Sequence, residues 1–191
     1  MGARMDHPDA SLGQDPGRWR DYLAVLAQIQ VSPRLRVKVD VSGVAQTTLL
    51  EAFRGRPRIQ GGPAGEAAWL RQILAHNLAD EIRKPSAGKR DIARERSLEA
   101  ALDDSSARLG NLLAANQSTP RQQAVNNEKD LRLAAALARL PETQREALVL
   151  QHWHNWSLGQ IAEHLGKSRA AVAGLIKRGL EKLRSELSPE E

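Results

Sequence analysis

Apolar residues recur at helical spacing along most of the chain, and the pattern predicts helices with little strand. The first predicted helix begins at Arg18, and its apolar face comprises Trp19, Tyr22, Leu23 and Leu26. A second helix is predicted from about 44 to 54, with an inner face of Val44, Thr48, Leu49, Ala52 and Phe53. A third runs from about 65 to 84. The only β-branched stretch is short, so the pattern predicts an all-α fold.

The C-terminal third carries clear helix boundaries. Pro141 is the first residue of a predicted helix that runs to about 152. Ser157 and Gln160 have the spacing of a capping box, and Gly166 is a suitable C-terminal cap for the short helix between them. Ser168 then caps a longer helix. A short helix, a glycine turn and a longer helix predict a helix-turn-helix.

The stretch from 85 to 130 differs in character from both flanks. It has seven basic and seven acidic residues, and helical turns are predicted only at 97–102 and 109–115. Helical periodicity returns with an apolar face of Leu131, Ala134, Ala135, Leu137 and Ala138. Because so long a polar stretch is unusual inside one compact domain, we expect two small helical domains joined by a flexible linker. The predicted segments are a tail (1–17), an N-terminal domain (18–86), the linker (87–130) and the helix-turn-helix domain (131–188).

Composition narrows the functional classes. The 191 residues include 28 Lys and Arg against 23 Asp and Glu, a net charge of +5. The absence of Cys excludes disulfide scaffolds, thiol nucleophiles and cysteine zinc sites. No apolar run approaches the roughly 18 residues of a membrane helix, and the N-terminus lacks the apolar core of a signal peptide. We therefore expect a soluble, cytoplasmic protein that has no membrane partner.

The last predicted helix concentrates the positive charge. Residues 167–184 contain six basic residues and one acid, Glu181, so this segment alone carries as much net charge as the chain. With Val172 on the inner side, the outward positions are Ala170, Ala173, Gly174, Lys177 and Arg178. A basic outward face on the second helix of the unit is what insertion into the DNA major groove requires. The alternative is an ordinary solvated helix in a three-helix bundle, but the caps and the turn spacing favour DNA binding.

Three segments of the C-terminal third, 140–148, 156–168 and 171–184, closely resemble region four of extracytoplasmic-function sigma factors. The N-terminal half resembles region two of the same family. Residues 39–53 are similar to the segment that binds the polymerase clamp, and residues 68–83 to the promoter-melting helix. The resemblance covers roughly 18–84 and 131–187 in the family order. One position departs from it: relatives usually carry an acid where this chain has Gly43.

The resemblance implies a bacterial sigma factor that binds core RNA polymerase and promoter DNA and performs no covalent chemistry. Region four would read the −35 element, and region two would read and melt the −10 element. No cofactor, metal or small-molecule substrate is expected, and an anti-sigma factor is a further candidate partner. The implied polymerase contacts are Gln46, Thr47, Leu50 and Glu51. The implied −10 contacts are Arg54, Arg56, Arg58, Trp69, Asn77 and Arg83. The implied −35 contacts are Ser168, Arg169, Ala173, Gly174, Lys177, Arg178 and Lys182.

Alternatives stay open at the level of the molecule and of single residues. The main rival is a helix-turn-helix transcription regulator that is not a polymerase subunit. A helical-bundle enzyme and an interaction adaptor are the others, although clustered carboxylates or histidines for an enzyme are not evident in the sequence. Asn77 could equally be a buried amide with a structural role, and Trp69 a core residue. The histidines at 152, 154 and 164 lack the carboxylate or Cys spacing of a metal site.

Overall fold

The computed structural model describes residues 15–36, 38–55, 62–83, 92–112 and 126–187. These residues form nine helices and no strand, which confirms the all-α prediction. The helices are α1 (Pro16–Gln30), α2 (Pro33–Arg36), α3 (Val41–Arg54), α4 (Gly62–Arg83), α5 (Ile92–Asn111), α6 (Asn126–Arg139), α7 (Glu142–His152), α8 (Leu158–Leu165) and α9 (Arg169–Leu187). None of the described helices is long and apolar enough to cross a membrane.

Helix α1 is the central helix of the N-terminal half. The Asp15 side chain caps its first turn, accepting a hydrogen bond from the Arg18 backbone N–H at 3.1 Å. The predicted apolar face is buried, and so are Val25, Ala27 and Ile29 on its other sides. Helices α3, α4, α5 and α6 all pack against it. A helix that is apolar on several sides is expected to lie inside a bundle.

Helix α3 buries one face and exposes the other. Val44, Ala45, Thr48, Leu49 and Ala52 are buried. The prediction that Phe53 belongs to this inner face is wrong, since its side chain is 42% exposed. At about 100° per residue, Phe53 lies about 110° from the centre of the buried arc, beside Gln46 and Leu50 on the outward side.

Helix α5 lies within the segment predicted as a linker. The turn expected at 97–102 and the start of the one expected at 109–115 belong to one continuous helix of 20 residues, and 113–115 lie outside the described residues. It packs against α1, α4 and α6, and Leu102 and Leu109 are fully buried. Ser105 and Ser106 are also buried. Their hydroxyl groups have partners on α1, since Gln30 Nε2 donates to Ser105 Oγ at 2.7 Å and Tyr22 Oη lies 2.9 Å from Ser106 Oγ. One face of α5 is therefore part of the core.

Helix α6 joins the two halves of the molecule. It packs against α1 and α5 on the N-terminal side and against α9 on the C-terminal side. The predicted face is buried, except that Ala138 is only half-buried, and Leu133 and Ala136 are buried as well. A single cluster of buried apolar residues runs through both halves. The boundaries of the two domains stay a prediction.

Helices α7 to α9 form the predicted helix-turn-helix. Both hydrogen bonds of the capping box are present: Gln160 N donates to Ser157 Oγ at 3.3 Å, and Ser157 N donates to Gln160 Oε1 at 2.8 Å. Gly166 ends α8 in the left-handed conformation, with φ of 62°. These caps set where α8 begins and ends.

Candidate nucleic-acid interface

Packing against α7 and α8 fixes which face of α9 points outward. Val172, Ile176, Gly179 and Leu183 are buried beneath the helix. Gly179 allows a close approach to α7, because a Cβ there would lie 2.9 Å from Leu148 Cδ1. On the opposite side of α9, Ala170, Ala173, Lys177 and Arg178 are exposed in the part of the chain that the structure describes. The orientation of the basic residues is therefore set by the apolar stripe.

The predicted −35 residues lie on this outward surface. Six of the seven are exposed and Gly174 is half-exposed; the exposed ones are Ser168, Arg169, Ala173, Lys177, Arg178 and Lys182. Ser168 also has a local task, since its Oγ accepts the Ala171 backbone N–H at 3.2 Å and so caps the helix. Lys177 Nζ lies 3.9 Å from Glu181 Oε1, but both groups are exposed and the pair constrains the lysine little.

Two arginines cover the glycines of this surface. A Cβ on Gly174 would meet the Arg178 guanidinium at 3.1 Å, which places that guanidinium over the helix backbone one turn back. A Cβ on Gly159 in α8 would meet the Arg169 guanidinium at 3.2 Å. The absence of side chains at these glycines leaves room for each planar guanidinium to lie close to the backbone. Arg169 and Arg178 are thus the long donors that flank a smooth surface made by Ala170, Ala173 and Gly174.

The predicted polymerase contacts share the outward face of α3. Gln46, Thr47, Leu50 and Glu51 are all exposed. The side chain of Leu50 is 55% exposed, and Phe53 lies three residues further on the same side. Exposed apolar side chains that share one face of a helix make that face a candidate for contact with another protein. Phe53 was missed as a member of this surface, although its helical angle could have assigned it.

The described −10 candidates do not form a single surface. Arg54 is exposed at the end of α3, whereas Arg56 and Arg58 lie outside the described residues. Trp69 is half-buried and packs against the core. Arg83 Nη1 pairs with Asp80 Oδ1 at 2.8 Å. These contacts favour a structural role for Trp69. Among the described −10 candidates, Arg54 is the exposed basic residue.

Asn77 connects α4 to α3. Its Nδ2 donates to Thr48 Oγ1 and to Glu51 Oε2, each at 3.2 Å. Thr48 is buried and donates in turn to the Val44 carbonyl at 2.8 Å. The side chain is therefore bonded within the helix pair, as expected for a structural amide. Since Glu51 is also a candidate polymerase contact, the same bond links the two predicted surfaces.

A charged cluster at the junction of α1, α4, α5 and α6 was not expected from the sequence. Arg71 Nε pairs with Asp103 Oδ1 at 2.5 Å, and Arg71 Nη1 donates to Tyr22 Oη at 2.8 Å. Asp130 is buried nearby, and burial raises its pKa to about 6, opposed by the attraction of Arg71. The residues of this charged cluster come from positions far apart in the chain, so their spacing in the sequence does not predict the cluster.

The histidines do not assemble a metal site in the part of the chain that is described, where no group of three or more His, Asp or Glu residues is suitably placed. Burial lowers the pKa of His152 and His154, and the neighbouring Arg108 and Arg36 lower it further. His164 Nε2 instead lies 3.0 Å from Glu146 Oε1, and its ring meets Trp156 edge to face. These histidines pack against neighbouring residues, and His164 lies within hydrogen-bond distance of Glu146.

Comparison with known proteins adds independent information about the family. Residues 130–183 match the family model described as Sigma-70, region 4. The probable RNA polymerase sigma factor RfaY of Xanthomonas campestris pv. campestris is 30% identical over 145 residues, which make up 75% of this chain and 33% of that protein. The RNA polymerase sigma factor SigO of Bacillus subtilis is 30% identical over 63 residues, 33% of this chain and 36% of that protein.

The matched segments span about a third of the length of these curated relatives. The family match begins within α6 and ends within α9, so it includes α7, α8 and most of α9. These matches support the family predicted from the sequence, that of extracytoplasmic-function RNA polymerase sigma factors, and the sigma-70 region 4 model covers residues 130–183.

Proposed function

We propose that this chain is a sigma factor that binds core RNA polymerase, recognises the −35 and −10 elements of a promoter and promotes melting of the DNA at the −10 element. The observation that carries the proposal is the basic outward face of α9 on a helix-turn-helix that matches sigma-70 region 4. No covalent step is assigned to the chain, because its family consists of non-catalytic initiation factors.

Helix α9 would enter the major groove at the −35 element. Lys177 and Arg178 are exposed on its outward face and are long enough to reach the edges of bases. Ala173 and Gly174 lack donors, so they would permit close approach of the helix to the DNA. Lys182 lies further along the helix, where contact with phosphate is expected.

The outward face of α3 would bind the polymerase. It presents two apolar side chains, Leu50 and Phe53, beside the polar Gln46, Thr47 and Glu51. A mixed patch with apolar anchors and a polar rim is typical of protein interfaces. The acid that relatives carry at position 43 is absent here, but Asp40 caps the same helix one turn earlier through Gly43 N at 2.9 Å.

Melting would be driven by binding rather than by chemistry. Bases flipped from the −10 element would bind to the N-terminal half, which offsets an unpairing cost of a few kcal/mol per base. Arg54 is the described basic residue best placed for this, because its side chain is exposed at the end of α3. An anti-sigma factor is a partner expected from the resemblance alone.

The test is core binding followed by transcription in vitro. Replacing Gln46 and Leu50 by Ala should weaken the affinity of the full chain for core polymerase by roughly tenfold or more, since Leu50 would act as an interface anchor. Binding of the free full chain to a −35 duplex should not change. Leu35→Ala is the matched control, because Leu35 is an exposed leucine on α2 rather than on α3, at 40% exposure.

The outcomes separate the proposal from its main rival. A sigma factor requires core polymerase for initiation and gives core polymerase a new promoter preference. A helix-turn-helix regulator would bind its duplex but would neither bind core polymerase stably nor support initiation. Unchanged core affinity in the double variant, with the wild-type chain binding core, would refute the assignment of the α3 face.

A further inference from the structure

Two glycines of the helix-turn-helix each lie beneath an arginine guanidinium. A Cβ on Gly174 would lie 3.1 Å from Arg178 Nη1, and a Cβ on Gly159 would lie 3.2 Å from Arg169 Nη2 and 3.3 Å from its Nε. These distances are shorter than the optimal separation of non-bonded heavy atoms, about 3.5–4.0 Å. Each guanidinium therefore fills the space that a side chain on the glycine would need, and any larger residue there would displace it.

The donors of both guanidinium groups are available to a ligand. Within the described residues, neither Arg169 nor Arg178 has a hydrogen bond or an ion pair. Arg139, by contrast, donates to Glu186, and Arg145 donates to the Ala138 carbonyl. A planar fork of five N–H donors can bind O6 and N7 of guanine with two hydrogen bonds, or a phosphate group.

The two arginines reach toward different parts of the helix-turn-helix. Gly174 lies in α9 itself, so the Arg178 guanidinium lies over the outward face, about 6 Å toward the N-terminus from its own Cα. The N-terminal part of a recognition helix is the part that contacts base edges. Gly159 lies in α8, so Arg169 instead reaches the preceding helix, which in such units crosses the DNA backbone.

We propose that Gly174 and Gly159 are positioning residues that give the two arginines different tasks on DNA. Gly174 holds Arg178 where its guanidinium reads a guanine of the −35 element. Gly159 holds Arg169 beside α8, where it binds a backbone phosphate. The proposal rests on the proposed reading of the −35 element and adds which arginine reads a base and what positions it.

The reason is preorganisation. An arginine that already has its bound conformation loses less side-chain entropy when it binds. A methyl group at position 174 would move the guanidinium away from the geometry that two simultaneous hydrogen bonds require. Gly174→Ala should therefore reduce sequence discrimination although alanine is the better helix former, so that specificity and stability change in opposite directions.

The test is selection of binding sites from a library of DNA duplexes with a randomised segment, with the full chain both free and bound to core polymerase. The wild-type chain should select a guanine that Arg178→Ala and Gly174→Ala both cease to prefer, at the same base pair. On the selected duplex, Gly174→Ala should lower the affinity by roughly threefold to tenfold, from the cost of ordering one long side chain. Its affinity for a scrambled duplex should stay within about twofold of wild type.

Gly159→Ala is the matched control on the neighbouring helix. Like Arg169→Ala, it should leave the selected sequence unchanged and weaken binding to the selected and scrambled duplexes alike. Arg169→Ala should also lower the slope of affinity against salt by about one, because one phosphate contact is lost. A change of the selected sequence in either variant would overturn the assignment of Arg169.

A double-mutant cycle separates positioning from direct contact between position 174 and the DNA. In an Arg178→Ala chain, Gly174→Ala should have no further effect on the affinity for the selected duplex. An equal loss with and without Arg178 would mean that the new methyl group itself meets the DNA, and it would overturn the proposal. Full retention of the selected guanine in Gly174→Ala would do the same.

Failure of this inference can be distinguished from failure of the proposed function. A chain that selects a duplex as expected but does not bind core polymerase would refute the sigma-factor function and leave the roles of the two glycines standing. A chain that supports initiation with core polymerase but shows no preference at the −35 element would leave the sigma-factor function standing and overturn this inference.

Discussion

Replacing Gly179 by alanine should destabilise the protein, although alanine has the higher helix propensity. Alanine is favoured over glycine in a helix by about 1 kcal/mol, but a Cβ at this position would lie 2.9 Å from Leu148 Cδ1. Because overpacking of a core contact costs roughly 1–3 kcal/mol, we expect Gly179→Ala to lower the free energy of unfolding by about 1 kcal/mol. Urea denaturation measures the change.

Gly174 on the same helix provides the matched control. Its Cβ would meet only the Arg178 guanidinium, which is the far end of a long side chain and can move. Gly174→Ala should therefore raise the free energy of unfolding by roughly 0.5–1 kcal/mol. A stabilising effect of the same size at Gly179 would disprove the close-approach explanation.

The effect of adding a side chain at Gly43 should depend on the capping residue Asp40. A Cβ at position 43 would collide with Asp40 Oδ2, while Asp40 Oδ1 accepts the Gly43 N–H at 2.9 Å. Gly43→Ala must displace the cap, which is worth about 1 kcal/mol, and this loss should cancel the gain in helix propensity. In an Asp40→Ala chain the same substitution should stabilise by about 1 kcal/mol.

A double-mutant cycle of thermal or urea unfolding gives the coupling between these two residues. A coupling near zero would mean that Asp40 can move away from a new side chain while still capping the helix. The glycine would then have no role in the start of α3.

At the scale of single elements, α9 should divide into base-reading and phosphate-binding residues. Lys177→Ala or Arg178→Ala should reduce discrimination between the preferred −35 site and a scrambled one by roughly 1–3 kcal/mol. Lys182→Ala should weaken binding to both sites alike and lower the slope of affinity against salt by about one. Affinities of the variants on both duplexes over a salt series measure these effects.

Equal losses on the two duplexes for Lys177→Ala and Arg178→Ala would identify these residues as phosphate contacts. Specificity would then have to come from the shape of the DNA or from the N-terminal half. The smooth stretch of Ala170, Ala173 and Gly174 between the arginines would in that case serve close approach alone.

Elements with regular apolar spacing were predictable from the sequence. Helix α5 lacks such regular spacing and was not predicted as one continuous helix. The caps at Ser157 and Gly166 and the stripe under α9 follow from local rules, and the structure confirms them. Helix α5 has buried serines where an apolar stripe would be expected, because Tyr22 and Gln30 satisfy them from another helix. Such pairing between distant positions leaves no periodic signal in one sequence.

The same reasoning applies to the sites. The exposed face of α3 and the basic face of α9 follow from helical angles, which depend only on the order of residues. The bond of Asn77 to Thr48 and Glu51 depends on how α3 and α4 pack, and the sequence left the role of Asn77 open. The seam of α6 against α1 was not predicted, because an apolar helix does not identify its partner.

At the scale of the whole molecule, Asp130 should make stability depend on pH. Its side chain is 6% exposed, and within the described residues Oδ1 has no hydrogen-bond partner. The pKa is raised from 3.8 to about 6 by burial, so the folded state favours the protonated form. The contribution of this group to stability is therefore full below pH 3.8 and is lost as the pH rises through about 6.

Asp130→Asn removes the charge that is unfavourable in the folded state. We expect it to raise the free energy of unfolding by roughly 2–3 kcal/mol at pH 7.5, from about 1.4 kcal/mol per pKa unit, and by little at pH 4. Asp104→Asn, at an exposed position on α5, is the control and should show no such trend. Urea unfolding of each variant at several pH values measures the difference, and a constant difference between Asp130→Asn and wild type would contradict the assignment.

The position of Trp153 makes its fluorescence a probe of the contact between α5 and the C-terminal half. Its indole is 7% exposed and donates to the Ser105 carbonyl of α5, whereas Trp69 and Trp156 are already partly in contact with solvent. Separation of the halves would place this indole in water, which shifts tryptophan emission to longer wavelength and makes it accessible to dissolved quenchers. The fluorescence of the unlabelled chain should therefore register any loss of this contact.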